Sequence, residues 1–513
     1  MDLKEYKTSN GEILLYKGNP DLSMLDELVK GPGDIWHSGL DQGLRDAFPE
    51  IIYQTSIFWF YLNDFKDLDK CVSWRIHPEA FVIRSSLWER LGGFEEVYDS
   101  KYLQAFSIGI NLLKNNAGIP IYIKGLFKKQ QIDRITISAL DRYLFFKKNF
   151  KKRHSIYMLL SRFLSNGFTE LNAYLKARKK ITFKREHFIL PPRNLREISG
   201  NPKVSYIIPT MYRQDYTLQL LEDLSKQTFL PTQVIIVDAT PVSERDESLY
   251  SVKNFPFELE IIWQTSKGSC RARNEAIAVS TGDFIVFGDD DIRIQSQFIE
   301  NHIRLLQTYN ADACNGLDIM ATHHTQGLKD LEERLDTLGE NRFRVGATAS
   351  FSNANSCVRK EWVDRIMGND INFDGGYGED TDFGIRLLKA GAVVLYNPFS
   401  VNLHLKPPSG GYRFWGIQAS IIGKKRKKQP WEMNYPVKHI KPVPSPTIMY
   451  YNLKHFKPEQ LIEYKKKHFF IYLLKGGSKK MIFRFFRIPY KLLQYKRSKF
   501  YAKKLIELGP RYN

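Results

Sequence analysis

Cysteine is scarce: Cys71, Cys270, Cys314 and Cys357 are the four in 513 residues. They stand far apart and form no CxxC or Cys/His pattern, which excludes a disulfide framework and a spaced zinc motif. A reducing, cytoplasmic setting is expected. Long apolar runs are missing too, since no stretch approaches the roughly 18 apolar residues needed to cross a bilayer. The opening MDLKEYKTSNGE has no apolar core, so no secretory leader is expected. Acidic residues are rare in one region, because residues 424 to 513 hold 24 Lys/Arg against 4 Asp/Glu. The other 423 residues hold 52 of each sign, so the net charge of +20 belongs to one appendage. Hydrophobic residues make up 43% of the chain, ample for burial, and at about 150 residues per domain the length implies two to four units.

Four segments are expected from the pattern. Residues 1 to 126 read as mixed α/β, with apolar runs IIYQTSIFWFYL (51 to 62) and AFVIRSSLW (80 to 88) and a helical pattern at LQAFSIGINLLKN. Residues 127 to 198 keep helical spacing with no turn signal but Gly167, and read as a helical connector. Residues 199 to 420 alternate strand and helix. Residues 421 to 513 read as a basic amphipathic C-terminal tail.

The most informative stretch is FIVFGDDD, 284 to 291, where an apolar strand ends in three carboxylates. Strands of this composition are buried on both faces of a parallel sheet, and ligands bind beyond their carboxyl ends. With extended geometry, Asp289 and Asp291 point to one side and Asp290 to the other. Hard oxygen ligands so placed suit Mg²⁺ or Mn²⁺. The other reading is a polar turn capping a helix over IRIQSQFIENHIRLL.

The strands KVSYIIP, QVIIVD, ELEIIWQ and DFIVFG alternate with the helices DYTLQLLEDLSKQ and SCRARNEAIAVSTG, which predicts a mostly parallel sheet with right-handed crossovers. Thr210 and Asp238 end the first two strands as the Asp triplet ends the fourth. Three polar strand ends in series point to a nucleotide crevice. VSYIIPTMYRQDYTLQLLEDLSKQTFLPTQVIIVDATP, SKGSCRARNEAI, TGDFIVFGDDDI and GYGEDTDFGIRLLKAG, in this order over about 203 to 410, resemble the family-2 glycosyltransferases of GT-A fold. The resemblance implies an inverting, metal-dependent transferase using a nucleotide-diphosphate sugar, UDP favoured, with Mn²⁺ or Mg²⁺.

By that resemblance Thr210 and Asp238 hold the nucleoside. Arg271, Arg273 and Asn274, together with Asp290 and Lys406, serve the donor, a guanidinium being a bidentate partner for pyrophosphate. Asp289, Asp291 and His404 carry the metal. In DGGYGEDTDFGIRLLKAG, Asp380 maps to the base that takes the acceptor proton and Glu379 to a residue orienting the acceptor. Carboxylates in a first helical turn are also what the helix dipole favours on structural grounds. Gly410 and Gly411 suggest a mobile loop.

A shift of 275 residues superposes Arg359 on Arg84, Gly384-Ile385 on Gly109-Ile110 and Leu387-Leu388 on Leu112-Leu113, while Glu379, Asp380 and Asp382 face Gln104, Ala105 and Ser107. The first segment therefore resembles a degenerate half of a GT-A fold. In the tail, KKRKK (424 to 428) and the segments after it interleave cations with aromatics, which suits an anionic membrane surface at its inner face. The expected partners are thus a nucleotide sugar, a glycan or lipid-linked acceptor and such a membrane, with no nucleic acid. A metal-dependent nucleotidyltransferase and a non-catalytic nucleotide-sugar or glycan-binding protein are the alternatives.

Overall fold

The computed structural model describes residues 2–38, 68–128, 137–180, 188–251, 253–412, 428–474 and 478–513. The run at 51 to 62 and most of KKRKK lie outside the described residues. Two compact units emerge in place of four segments: residues 1–192 with 344–347 and 391–393, and residues 193–343, 348–390 and 394–513.

The first unit holds β1 (Lys4–Lys7), β2 (Ile13–Lys17), α1 (Leu25–Leu28), β3 (Ile35–His37), β4 (Lys70–Val72), β5 (Phe81–Arg84), α2 (Ser85–Leu91), α3 (Lys101–Asn111), β6 (Pro120–Ile123), α4 (Ala139–Asn149) and α5 (Lys152–Lys179). Among the described residues its six strands run β1-β2-β5-β3-β6-β4. The helices read as a connector belong to this unit's core. Tyr143, Phe145 and Phe146 of α4, with Met158 and Tyr174 of α5, bury against Trp74, Phe106 and Ile110. Each such side chain contributes about 1.5–3 kcal/mol on burial, which explains why the pair docks rather than links.

In the second unit the elements are β7 (Val204–Thr210), α6 (Gln214–Leu224), β8 (Gln233–Asp238), β9 (Glu258–Trp263), α7 (Ser269–Val279), β10 (Phe284–Gly288), β11 (Ile292–Ile294), α8 (Phe298–Tyr309), β12 (Ala313–Met320), α9 (Leu328–Leu338), β13 (Asn355–Arg359), α10 (Lys360–Arg365), α11 (Glu379–Ala390), β14 (Val394–His404), α12 (Pro446–His455), α13 (Pro458–Leu474), α14 (Ser478–Phe486) and α15 (Ile488–Leu508). The sheet order is β11-β14-β12-β13-β10-β7-β8-β9. Strands β10, β7, β8 and β9 are parallel, while β13 runs antiparallel to β10 and β12. Every residue of β7, β8 and β10 is buried, as their apolar composition demands. The chain leaves β7 toward β8 on one side and returns to β10 on the other, which opens the crevice where such sheets take ligands.

Two expectations change here. No helix follows the Asp triplet directly: Ile292–Ile294 form β11, antiparallel to the end of β14, with Ile292 opposite His404. Nor is the C-terminal region an appendage. Tyr450, Tyr501, Ala502 and Leu505 are fully buried, and α12 and α15 pack together within the second unit. Asn372 Nδ2 donates to the Gly509 carbonyl at 2.7 Å, and Asn274 Nδ2 to that of Tyr512 at 2.7 Å.

The two units share a local plan. β3 pairs parallel with β6 and antiparallel with β5, as β12 does with β14 and β13. Arg84 ends β5 and donates Nε to the Gly33 carbonyl at 3.0 Å; Arg359 ends β13 and donates Nε to that of Ala311 at 3.0 Å. The carboxylates are not shared, since Gln104 and Ala105 stand in the first unit where Glu379 and Asp380 stand in the second.

Candidate active site

The cleft, about 420 Å³, lies beyond the carboxyl ends of β7 and β10. Gly288 is the last residue of β10, and a Cβ there would meet the Tyr206 hydroxyl at 2.3 Å, so only glycine lets the strand run into the triplet at this spacing. Asp289 and Asp291 point into the cleft. Their carboxylates and the His404 imidazole offer ligand atoms all within 4.8 Å of one another. Two carboxylates and an imidazole form a donor set suited to Mn²⁺, and less to Mg²⁺, which prefers oxygen alone.

His404 arrives by strand register. Asp223 of α6 accepts from Arg293 Nε at 2.7 Å and Nη2 at 2.9 Å, which pins β11 and so the paired end of β14. The imidazole faces Asp291 through Nε2 at 3.3 Å and Asp318 through Nδ1 at 3.3 Å. Burial lowers the His404 pKa, but hydrogen bonds to the two carboxylates outweigh it and push it up to about 10. Asp318 is held from behind: Asn402 Nδ2 donates to it at 2.8 Å, Asn355 Nδ2 to Asn402 Oδ1 at 2.7 Å, and His302 Nε2 to Asn355 Oδ1 at 3.0 Å. An outer carboxylate on a ligand histidine sets its tautomer and aim.

Cations balance the acidic floor. Arg273, nearly fully buried on α7, donates Nη2 to Asp289 at 2.6 Å. Arg213, in the loop after β7, donates Nη1 to Asp291 at 2.8 Å and Asp290 at 3.1 Å. The Arg213 Nε bonds the Ser409 carbonyl at 3.1 Å, so the guanidinium joins the carboxylates to the 406–412 loop. In that loop Gly410 and Gly411 have φ of +77° and +80°, a conformation only glycine takes freely. Lys406 is exposed on the cleft wall.

Several expected donor residues are committed elsewhere. Thr210 is fully buried and donates Oγ1 to Asp290 at 2.8 Å, so Thr210 sits beneath the floor of which Asp290 is part. Burial raises the pKa of Asp290, against the pull of Arg213. Asp238 is also fully buried and accepts from Thr240 N at 2.8 Å and the Tyr250 hydroxyl at 3.0 Å. Asn274 bonds the Asn369 and Tyr512 carbonyls, a structural use of its amide. Arg271 does not line the cleft. The start of α7 is taken by Asp374, which accepts from Cys270 N at 2.7 Å; burial raises its pKa to about 7.

At the start of α11, Glu379 is buried and lines the cleft. Asp380 beside it is half-buried and accepts from Asn353 Nδ2 at 2.6 Å. One turn on, Asp382 is fully buried among Arg386 Nε at 2.7 Å, Lys454 Nζ at 2.8 Å and His455 Nε2 at 2.7 Å. Burial opposes its ionisation, but the His455 hydrogen bond and the cations hold its pKa well below the carboxylate range. Lys454 also reaches Asp370 at 2.7 Å. The C-terminal region thus fastens the helix that carries Glu379 and Asp380.

Sequence reasoning missed Arg213, Asp318, Asn353, Asp374 and the Lys454–His455 pair. Arg213 was findable, standing three residues after the strand end at Thr210. The others act across 27 residues or more and had no local signal.

Residues 205–366 match the family model described as glycosyl transferase family 2. The chain is 23% identical over 258 residues to the chondroitin synthase of Pasteurella multocida (strain Pm70), covering 42% of this chain and 26% of that one. It is 32% identical over 109 residues to the uncharacterized glycosyltransferase YwdF of Bacillus subtilis (strain 168), covering 21% and 39%. The chain therefore spans well under half the length of these relatives. A crystal structure of Staphylococcus aureus TarS 1-349 in complex with UDP-GlcNAc is 16% identical, covers 61% of this chain and 93% of that one, and has a TM-score of 0.36.

Proposed function

We propose that this chain, a family-2 glycosyltransferase of GT-A fold over its matched segment, moves a sugar from a nucleoside-diphosphate donor to an acceptor hydroxyl by a single inverting displacement. The observation that carries the reading is the convergence of Asp289, Asp291 and His404 within 4.8 Å at the end of β10, in a cleft that Arg273 and Glu379 also line.

In this reading Asp380 takes the acceptor proton, aimed by Asn353. The acceptor oxygen then attacks C1 of the donor sugar from the face opposite the diphosphate, and the bond from C1 to the diphosphate oxygen breaks. Glu379 orients the acceptor. Asp289, Asp291 and His404 would hold a divalent cation, whose contribution is Lewis-acid neutralisation of charge on the leaving diphosphate. Lys406 meets the diphosphate as a point charge, and Arg273 holds and aims the Asp289 carboxylate. Thr210 and Asp238 support the site from below, and Asp290 is part of its floor. The similar proteins include a chondroitin synthase, which favours a growing glycan, free or lipid-linked, as acceptor.

The test is a panel of UDP-, GDP- and dTDP-sugars with Mn²⁺, Mg²⁺ or chelator, reading released nucleoside diphosphate and the anomeric configuration of the product. Release from at least one donor, stimulated by Mn²⁺ and accompanied by inversion, is expected. No release from any donor would falsify the transferase reading, and retention would remove the single displacement.

A further inference from the structure

Helix α14 faces the wrong way for a surface helix of a soluble domain. At about 100° per residue, Met481, Phe485, Ile482, Phe486 and Phe483 follow one another around one side, and Arg484 and Arg487 lie on the other. An ordinary surface helix turns its apolar side to the core. Here Arg484 turns inward, its guanidinium 5.9 Å from the ring centroid of Tyr472 on α13. The apolar residues turn outward: Phe483 and Phe486 are each 75% exposed, Phe485 63% and Ile482 62%. Four large apolar side chains on nine residues of helix, all more than half exposed, form a patch of the kind that marks an interaction surface.

Charge identifies the occupant. Residues 464 to 506 contain fourteen Lys/Arg and no Asp or Glu. A second copy of this face would bring like charges together in an isologous contact, which opposes pairing. No helix among the described residues is long and apolar enough to cross a membrane. An aromatic, outward apolar face within a cationic surround fits shallow insertion beneath anionic headgroups. We propose that α14, followed by Tyr490 and Leu493 of α15, is the membrane-contact face of this protein, and that its partner is an anionic phospholipid surface. The rest of the C-terminal region packs inward, with α12 and the end of α15 held to the second unit through Lys454, His455, Gly509 and Tyr512.

The experiment uses the full chain and does not depend on the transferase reading. Vesicles of phosphatidylcholine alone, or with phosphatidylglycerol, are sedimented with wild type, with the triple variant Phe483→Ser/Phe485→Ser/Phe486→Ser, and with Arg487→Glu. Because these side chains are exposed, the melting temperature should not change. Wild type should bind phosphatidylglycerol vesicles at low salt at least tenfold more tightly than neutral ones, and the triple variant should lose that binding. Arg487→Glu, with the apolar face intact, should weaken it and make its loss with salt shallower, because fewer cations engage the headgroups. Wild type that ignores anionic vesicles overturns the proposal, as does a triple variant that binds equally well. Sedimentation velocity showing a wild-type dimer that the triple variant abolishes, without vesicle binding, would assign the face to self-association instead.

Discussion

The His404 imidazole is aimed by one carboxylate and faces another, so Asp318 is the most informative side chain to alter. Asp318→Asn keeps the volume but removes the charge behind Nδ1. Loss of such an outer partner costs about 10–100-fold in metal affinity. Calorimetric titration with Mn²⁺ should show that loss with little change in folding; unchanged affinity would mean the cation does not use His404. Asp380→Asn should act otherwise, leaving Mn²⁺ and donor affinity near wild type while transfer falls by about 10² to 10⁴, the usual worth of a positioned base. If Glu379→Gln lost transfer and Asp380→Asn did not, the base would be the carboxylate that lines the cleft.

At the scale of elements, α11 is held by buried charge. Removing one partner of such a cluster typically costs about 3–5 kcal/mol, because the remaining charge stays desolvated. Lys454→Met strips a cation from both Asp370 and Asp382, and urea denaturation should show a loss in that range. Strands β12, β13 and β14 make a pH prediction through His302, which is fully buried and whose pKa burial lowers to about 3. The unfolded chain takes up this proton near pH 6.5 and the folded one does not. Stability is therefore fully present above about 6.5 and falls toward pH 3, by about 1.4 kcal/mol per pH unit for this group. His302→Gln should flatten that slope in denaturation midpoints measured from pH 7 to 4; an unchanged slope would place the proton uptake elsewhere.

For the whole molecule, the second unit should not survive loss of its C-terminal region. Ending the chain at residue 427 would bare the faces that α12 and α15 cover and leave Asp370 and Asp382 without Lys454 and His455. The shortened protein should be insoluble or melt at least 10 °C lower, as expected when several kcal/mol are lost from a domain of this size. Wild-type melting of the truncation would show that α12 and α15 are dispensable to the fold. The basic region thus has two parts, one closing the domain and one facing outward.

The βα alternation from 203, the end of β10 in three carboxylates and the outward alternation of Asp289 and Asp291 were legible in the chain, because strand burial and the two-residue side-chain period are local properties. Polarity at a strand end was legible too, but its use was not: Thr210 and Asp238 satisfy buried partners instead of lining the cleft, whereas Asp290 lines it with Asp289 and Asp291. Register decided the rest. A three-residue strand at 292 to 294, too short to announce itself against the helical pattern around it, sets Ile292 opposite His404. The charge of the last 90 residues was evident in composition, yet which cations neutralise α11 and which remain outside was settled by packing. A Lys at 454 and an Asp at 382 become partners only when the chain between them has folded.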